Sequence, residues 1–423
     1  MLQKLLSSLK VYADKRMLVM LAFGFSSGFP FALVYSTLGL WLKDVGISIA
    51  LIASFSLLKT PYSFKWLWAP LIDRLPLPIL GKLGRRRSWA LLTQILIISA
   101  IISMSLCSPA LKNYTIALFA FILSLSSASQ DIVLDAYRVE NFNTQEQGSA
   151  SAVFVLGYRI GLIFSGAGAL YLAEYFSWNQ VYLMMSSGVL IGILTVLCIR
   201  EKPFIPQNTD KSQIFSFKKA VWAPLKDFSK KAGWIYILLF ILFYRLSDAY
   251  IGPMAYLFYD DMGFSYKDIA KVSNLYGSLT TIIGMLIGGA VLRRISLPKC
   301  LIYFGILQGL SNLIYVAQAY VGNNIYMLML TISVENISGG LGTAAFMAYL
   351  ASLCNVEYTA TQYALLSSFM SLVRDVLAST SGLLVKAVGW TPFFVLTTLM
   401  ALPGLFLLVY MLKKYPPQSK TEA

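Results

Sequence analysis

The feature that most constrains this chain is a succession of long apolar runs, each followed by a short polar gap. A bilayer's hydrocarbon core takes about 20 residues per helical crossing, and runs of roughly 18 to 25 suit it. They lie near 17–41, 47–72, 88–108, 114–137, 148–172, 178–199, 234–258, 268–292, 298–320, 325–350, 358–386 and 390–412, twelve in all. Backbone groups in hydrocarbon must be bonded within their own segment or in a closed barrel. Runs this long, without alternating polarity, select helices, so the sequence predicts an all-α membrane protein. Only 13% of the 423 residues are charged, against 57% apolar and aromatic, whereas soluble domains carry about a quarter charged residues. That balance excludes a collagen, a coiled coil, a disordered tail and an ordinary water-soluble enzyme.

The charged residues that do occur are unevenly placed. Lys and Arg crowd the segment before the first run, alternate gaps and the C-terminal tail; the intervening gaps hold only Lys43, Lys112, Lys267 and Lys386. By the positive-inside rule both termini are expected in the cytoplasm. The formal net charge of +15 then marks inward loops rather than a nucleic-acid surface, and no nucleic-acid partner is expected. The basic stretch 4–16 leads into an apolar run too long for a signal peptide and without a small-residue cleavage site, so it opens the first crossing. Trp41, Trp66, Trp178, Trp234 and Trp390 fall near run ends, where an interfacial aromatic belt is expected. The one sizeable polar stretch, 200–233, is lysine-rich and splits the runs six and six. The expected domains are 1–199, a linker over 200–233, and 234–423. No convincing residue-level repeat relates the two halves.

A charged side chain at a bilayer's centre costs about 2.5–3.5 kcal/mol, so those retained there are functional candidates. Lys59 sits mid-span before Pro61, whose ring should kink the second helix; Lys65, nearer the end, is expected to snorkel. Asp131, Asp135 and Arg138 share a helix face at spacings of four and three. Two carboxylates a turn apart cannot both ionise cheaply, which suits proton coupling; the competing reading is a structural network, with Arg159 as a partner. Arg245 and Asp248 can pair at a spacing of three. Glu335 has no basic residue within a turn and is a second proton-site candidate. Arg374 is expected to face inward. Histidine is absent, so proton handling falls to Asp131, Asp135 and Glu335. Lys59, Arg159, Arg245, Asp248 and Arg374, with the amides of Gln130, Asn336 and Gln362, make a cavity suited to an anionic, hydroxyl-rich solute. The four cysteines are scattered without metal-ligand spacing, and no metal or cofactor is expected.

Several stretches go further. The second run ends PYSFKWLWAPLIDR (61–74), followed by GRRRSW (84–89). Then come SASQDIVLDAYRVE (127–140), VLGYRIG (155–161), YRLSDAY (244–250), FGILQGLSN (304–312), ENISGGLGTAAFMAYL (335–350) and LCNVEYTATQYALLSS (353–368), with GFSSGFPFAL (24–33) in the first run. Together with the six-plus-six outline, these resemble the AmpG-type muropeptide permeases of the major facilitator superfamily and, more loosely, the acetyl-CoA transporters. The resemblance implies a major facilitator fold in the bacterial inner membrane. It implies import of N-acetylglucosaminyl-1,6-anhydromuramic acid and its peptides for cell-wall recycling, with proton symport as the drive. The expected partners are that small glycopeptide, protons and the lipid bilayer, the chain working as a monomer. It also implies an inner gate in which Asp73 meets loop arginines, here Arg74, Arg85, Arg86 and Arg87; Ala69 replaces that motif's leading glycine, and extra residues precede Gly84. A carrier for another anionic solute, such as an acyl-CoA or nucleotide-like compound, is the alternative. A membrane-embedded transferase fits less well, because the outer loops are short and no catalytic cluster is visible.

Overall fold

The computed structural model describes residues 10–47, 55–78, 80–107, 113–201 and 217–415, which contain helices and no strand. Ten of these helices are long and apolar enough to cross a membrane. In chain order they are α1 (Lys15–Asp44), α3 (Arg85–Ser105), α4 (Asn113–Asn141), α5 (Gln147–Ala173), α6 (Trp178–Cys198), α7 (Trp234–Asp261), α8 (Lys267–Leu292), α9 (Leu297–Val321), α11 (Thr359–Val388) and α12 (Trp390–Lys414). The two remaining expected crossings differ for physical reasons. The second, here α2 (55–74), is broken into short α and 3-10 pieces around Pro61 and Pro70, since each proline removes a helix donor and crowds the preceding turn. The tenth, α10 (Ile325–Ser352), is one unbroken helix whose Glu335, Asn336 and glycines dilute its hydropathy.

Polarity is distributed as a bilayer demands. Leu57, Leu118, Phe164, Leu194 and Phe406 face outward, while Ser124, Ser127, Gln130, Gln318, Thr331 and Gln362 are buried. Four apolar clusters fill the interior, two mainly among α1–α6, one of which takes in Ala360 and Ala364 of α11, and two among α7–α12. Trp41 departs from the expected aromatic belt: it is buried in one of these clusters and stacked on Trp178 at 6.4 Å.

Small residues set the closest approaches. Any side chain at Gly24 or Gly28 of α1 would overlap the backbone of Phe154 or Tyr158 on α5. Gly157 and Gly161 of α5 stand in the same relation to Leu21 and Phe25. Between α8 and α10, Gly284 meets the Ile337 backbone and Gly340 the Thr281 carbonyl. Membrane helices gain their association energy from such backbone proximity, because lipid tails offer no hydrophobic drive.

The halves are related, although the sequence shows this poorly. Asp44 at the end of α1 accepts the Trp178 indole N–H of α6 at 2.9 Å. Asp261 at the end of α7 accepts that of Trp390 on α12 at 2.8 Å. Two residues past each aspartate, Gly46 and Gly263 turn the chain with φ of 81° and 80°, a left-handed conformation that favours glycine. The repeat therefore survives as a capped corner at the same place in each half. The opposite end of the bundle, the basic end, holds the 10–14 segment, residues 75–78 and 80–84 between α2 and α3, the start of α11 and most of the arginines.

Candidate functional site

At the basic end the predicted gate residues converge. Asp73 closes α2 and is buried. Its Oδ1 accepts Arg86 Nη2 at 2.8 Å and the Ala360 N–H at 3.2 Å. Its Oδ2 accepts the Thr361 N–H at 2.7 Å and the Thr361 hydroxyl at 2.6 Å. The residue preceding α11, Tyr358, provides no side-chain cap. Asp73 thus caps α11 from the other half, satisfying orphan N–H groups where the helix dipole favours an anion. Arg86 is shared with Glu140 of α4 at 2.6 Å. Arg85 reaches Glu140 at 3.0 Å and the Asp73 carbonyl at 3.1 Å. Arg87 turns away, to the Val196 and Leu197 carbonyls of α6 at 3.1 Å, and Arg74 lies over the Tyr358 ring at 5.6 Å.

A second link between the halves runs through Arg138. It donates to Tyr363 of α11 at 2.6 Å, to Gln147 at 2.9 Å, to Ser151 at 2.8 Å and to Asp135 at 3.2 Å. Lys65 does not snorkel: its side chain is mostly buried, 3.8 Å from Asp135. Asp135 is therefore held in a network with two cations, and Arg159 takes no part in it. Gln362, expected in the substrate cavity, lies at the basic end instead. Its amide donates to Asp227 at 2.8 Å and to the Pro224 carbonyl at 3.2 Å. It thereby ties α11 to the helix Phe217–Ser229, which precedes α7.

Mid-bundle, two adjoining chambers open among α7–α10. The larger, about 400 Å³, is lined by Tyr256, Tyr259, Thr281, Tyr315, Glu335 and Asn336, with Arg159 reaching in from α5. The smaller, about 180 Å³, is lined by Arg245, Asp248, Gln308, Asn312 and, again, Glu335 and Asn336. Glu335 thus stands between the chambers, and Arg159 and Arg245 flank them. Arg245 pairs with Asp248 at 2.6 Å, as its spacing predicts, and also donates to Thr343 at 2.7 Å. Gln308 donates to the same Asp248 oxygen. Asn336 is oriented by Thr281 Oγ1 at 2.8 Å.

Within α1–α6, Asp131 accepts the Ser27 hydroxyl at 2.6 Å and shares no hydrogen bond with the Asp135 network, although Lys65 and Asp135 both act on it through space. Among the described residues no cation lies within ion-pair distance of it. Phe31, Tyr35, Tyr62 and Tyr158 form a ring cluster beside it. Gln130 donates to the Ser26 carbonyl at 2.7 Å and keeps a buried amide oxygen with no partner. The Lys59 side chain lies outside the described residues, and Arg374 is exposed on α11.

Sequence reasoning missed Glu140, Glu201, Thr361 and Tyr363. Glu201 accepts the N–H groups of Arg86 at 2.9 Å and Arg87 at 3.0 Å, capping α3. An acidic residue at a helix end beside a basic loop reads as solvated; the available signal was that GRRRSW supplies more arginines than Asp73 can satisfy.

Known proteins resemble this chain over nearly its whole length. The family profile described as Major Facilitator Superfamily matches residues 17–317 and 246–423. A putative transporter AmpG 4 of Rickettsia felis is 36% identical over 96% of this chain and 98% of its own length. The anhydromuropeptide permease of Escherichia coli K12 is 38% identical over 95% of this chain and 80% of its own. Among solved structures, the proton:xylose symporter XylE covers 97% of this chain and 96% of its own at a TM-score of 0.68 and 11% identity, a likeness of fold alone. The chain therefore belongs to the AmpG-type permeases of the Major Facilitator Superfamily, which are transporters and not enzymes.

Proposed function

We propose that this transporter carries anhydromuropeptides from periplasm to cytoplasm across the bacterial inner membrane, by alternating access and proton symport, as a monomer. The basic end is cytoplasmic in this reading, with both termini, because its arginines and lysines follow the positive-inside rule. Residues 1–199 and 234–423 are the two halves that rock, joined by the linker 200–233. The observation that carries the proposal is a chamber holding both signs of charge in a chain 38% identical to an anhydromuropeptide permease.

The chemistry follows from the lining. A muramic acid carboxylate suits Arg159 or Arg245, and buried amide side chains suit N-acetyl and hydroxyl groups. Glu335 is the proton carrier we favour, with Asp131 second, because both are placed without a cation at ion-pair distance among the described residues; Asp135 is already compensated. When Glu335 binds a proton, the positive charge of Arg159 in the same chamber is offset less and can be met by an anionic solute, while Arg245 stays paired with Asp248. Proton and cargo then favour the same loaded state, which is what coupled transport requires.

Binding of N-acetylglucosaminyl-1,6-anhydromuramic acid to purified protein, followed by calorimetry, tests the assignment against an analogue whose carboxylate is reduced to an alcohol. The acid is expected to bind at least tenfold more tightly. Equal affinity for both, or no binding of either, contradicts it.

A further inference from the structure

In the first half of the chain Asp73 ends α2 and caps the second and third residues of α11. The matching place in the second half is the end of α8, where Leu292–Arg293 stands as Asp73–Arg74 stands on α2. Leu292 meets Gly148, the second residue of α5. The residue before α5, Glu146, provides no side-chain cap, like Tyr358 before α11. The two seams at the basic end are therefore built alike, but the α5–α8 seam has leucine where the α2–α11 seam has the acid. An apolar side chain accepts no hydrogen bond, so this seam lacks the polar latch.

The segment before α1 supplies another. Val11 is buried in the cluster around α1, α4 and α5. Arg16, at the start of α1, pairs with Glu146 at 3.0 Å and donates to the Asn141 carbonyl at 3.1 Å. The segment is thus fastened to the first half. From there Tyr12 crosses to the second half and donates to the Leu286 carbonyl of α8 at 2.6 Å. A methyl group at Gly289 would lie 2.7 Å from Ser149 Cα and 2.8 Å from the Tyr12 hydroxyl, so the seam is shut where the tyrosine lies. Burial pushes the Tyr12 hydroxyl up to about 12, and it stays a donor across the physiological range.

We propose that residues 10–14 are a strap that closes the α5–α8 seam, with the Tyr12 hydroxyl as its catch in place of the missing acidic latch. The proposal rests on the alternating-access reading, in which this seam must part when the basic end opens. Tyr12 acts as a positioning residue, biasing the two states without touching cargo.

The test uses the full-length chain in nanodiscs, with the four native cysteines replaced and spin labels at Gln145→Cys and Ser296→Cys, both exposed flanks of the seam. Tyr12→Phe removes only the hydroxyl. It is expected to raise the population of the longer distance roughly fivefold, the size of one neutral hydrogen bond. Asp73→Asn in the same background monitors the other seam. If Asp73→Asn lengthens the distance and Tyr12→Phe leaves it unchanged, the strap is overturned while alternating access stands. If no second distance appears in any variant, with or without cargo, alternating access fails and the strap with it.

Discussion

Replacing Asp73 with asparagine should unbalance the gate by an amount that can be worked from its contacts. The substitution keeps the shape and one acceptor oxygen but removes the charge. Three donors from α11 then bond to a neutral group, namely the Ala360 and Thr361 N–H groups and the Thr361 hydroxyl. Hydrogen bonds to charged groups contribute about 1.5–3 kcal/mol and neutral ones about 1 kcal/mol, so each loses a fraction of a kilocalorie or more. Arg86 loses one buried counterion but keeps Glu140 at 2.6 Å, which limits the damage below the roughly 3–5 kcal/mol of a buried charge left alone. A total near 3 kcal/mol is reasonable, equivalent to about a hundredfold change in the ratio of closed to open basic end. Spin labels at Lys82→Cys and Val356→Cys, exposed on either side of the α2–α11 seam, read that ratio directly. The longer distance should become dominant and uptake should fall. An unchanged distribution together with wild-type uptake would refute the cap.

Three further outcomes follow from the same geometry. Glu335→Gln should abolish gradient-driven accumulation while leaving counterflow exchange of labelled cargo intact, since a permanently neutral side chain mimics the protonated state. Arg245→Ala should raise the KM for uptake about tenfold or more, because it removes a cavity cation and leaves Asp248 with Gln308 but no counterion, at a cost of about 1–3 kcal/mol; an unchanged KM would leave the pair as scaffold. Gly157→Leu should prevent stable assembly, measured as loss of the monodisperse detergent-solubilised protein, because its side chain would be driven into the Leu21 backbone.

The crossings were legible because hydropathy is a local property: the long apolar runs set α1 and α3–α12 to within a few residues. Pro61 announced the break in α2 but not its extent, since two prolines and the Lys65–Leu67 turn act together. The Asp73 cap was only half legible. A motif placed the acid beside the arginines, yet its partners on α11 lie nearly 290 positions later, and nothing in TATQYALLSS marks them as waiting for a cap. Arg159 shows the same limit: its span says it is costly in hydrocarbon, and only the packing of α5 against the second half shows that it faces Glu335's chamber. Asp131 and Asp135 looked equivalent at one helical turn, and they part because Lys65 and Arg138 both reach Asp135. Long-range pairing of this kind leaves no periodicity for a sequence to display.

The most direct test is uptake of labelled N-acetylglucosaminyl-1,6-anhydromuramic acid into proteoliposomes carrying the purified chain, with the exterior more acidic than the lumen. Concentrative uptake that collapses on adding a protonophore is predicted. Absence of uptake, or accumulation indifferent to the proton gradient, would contradict it.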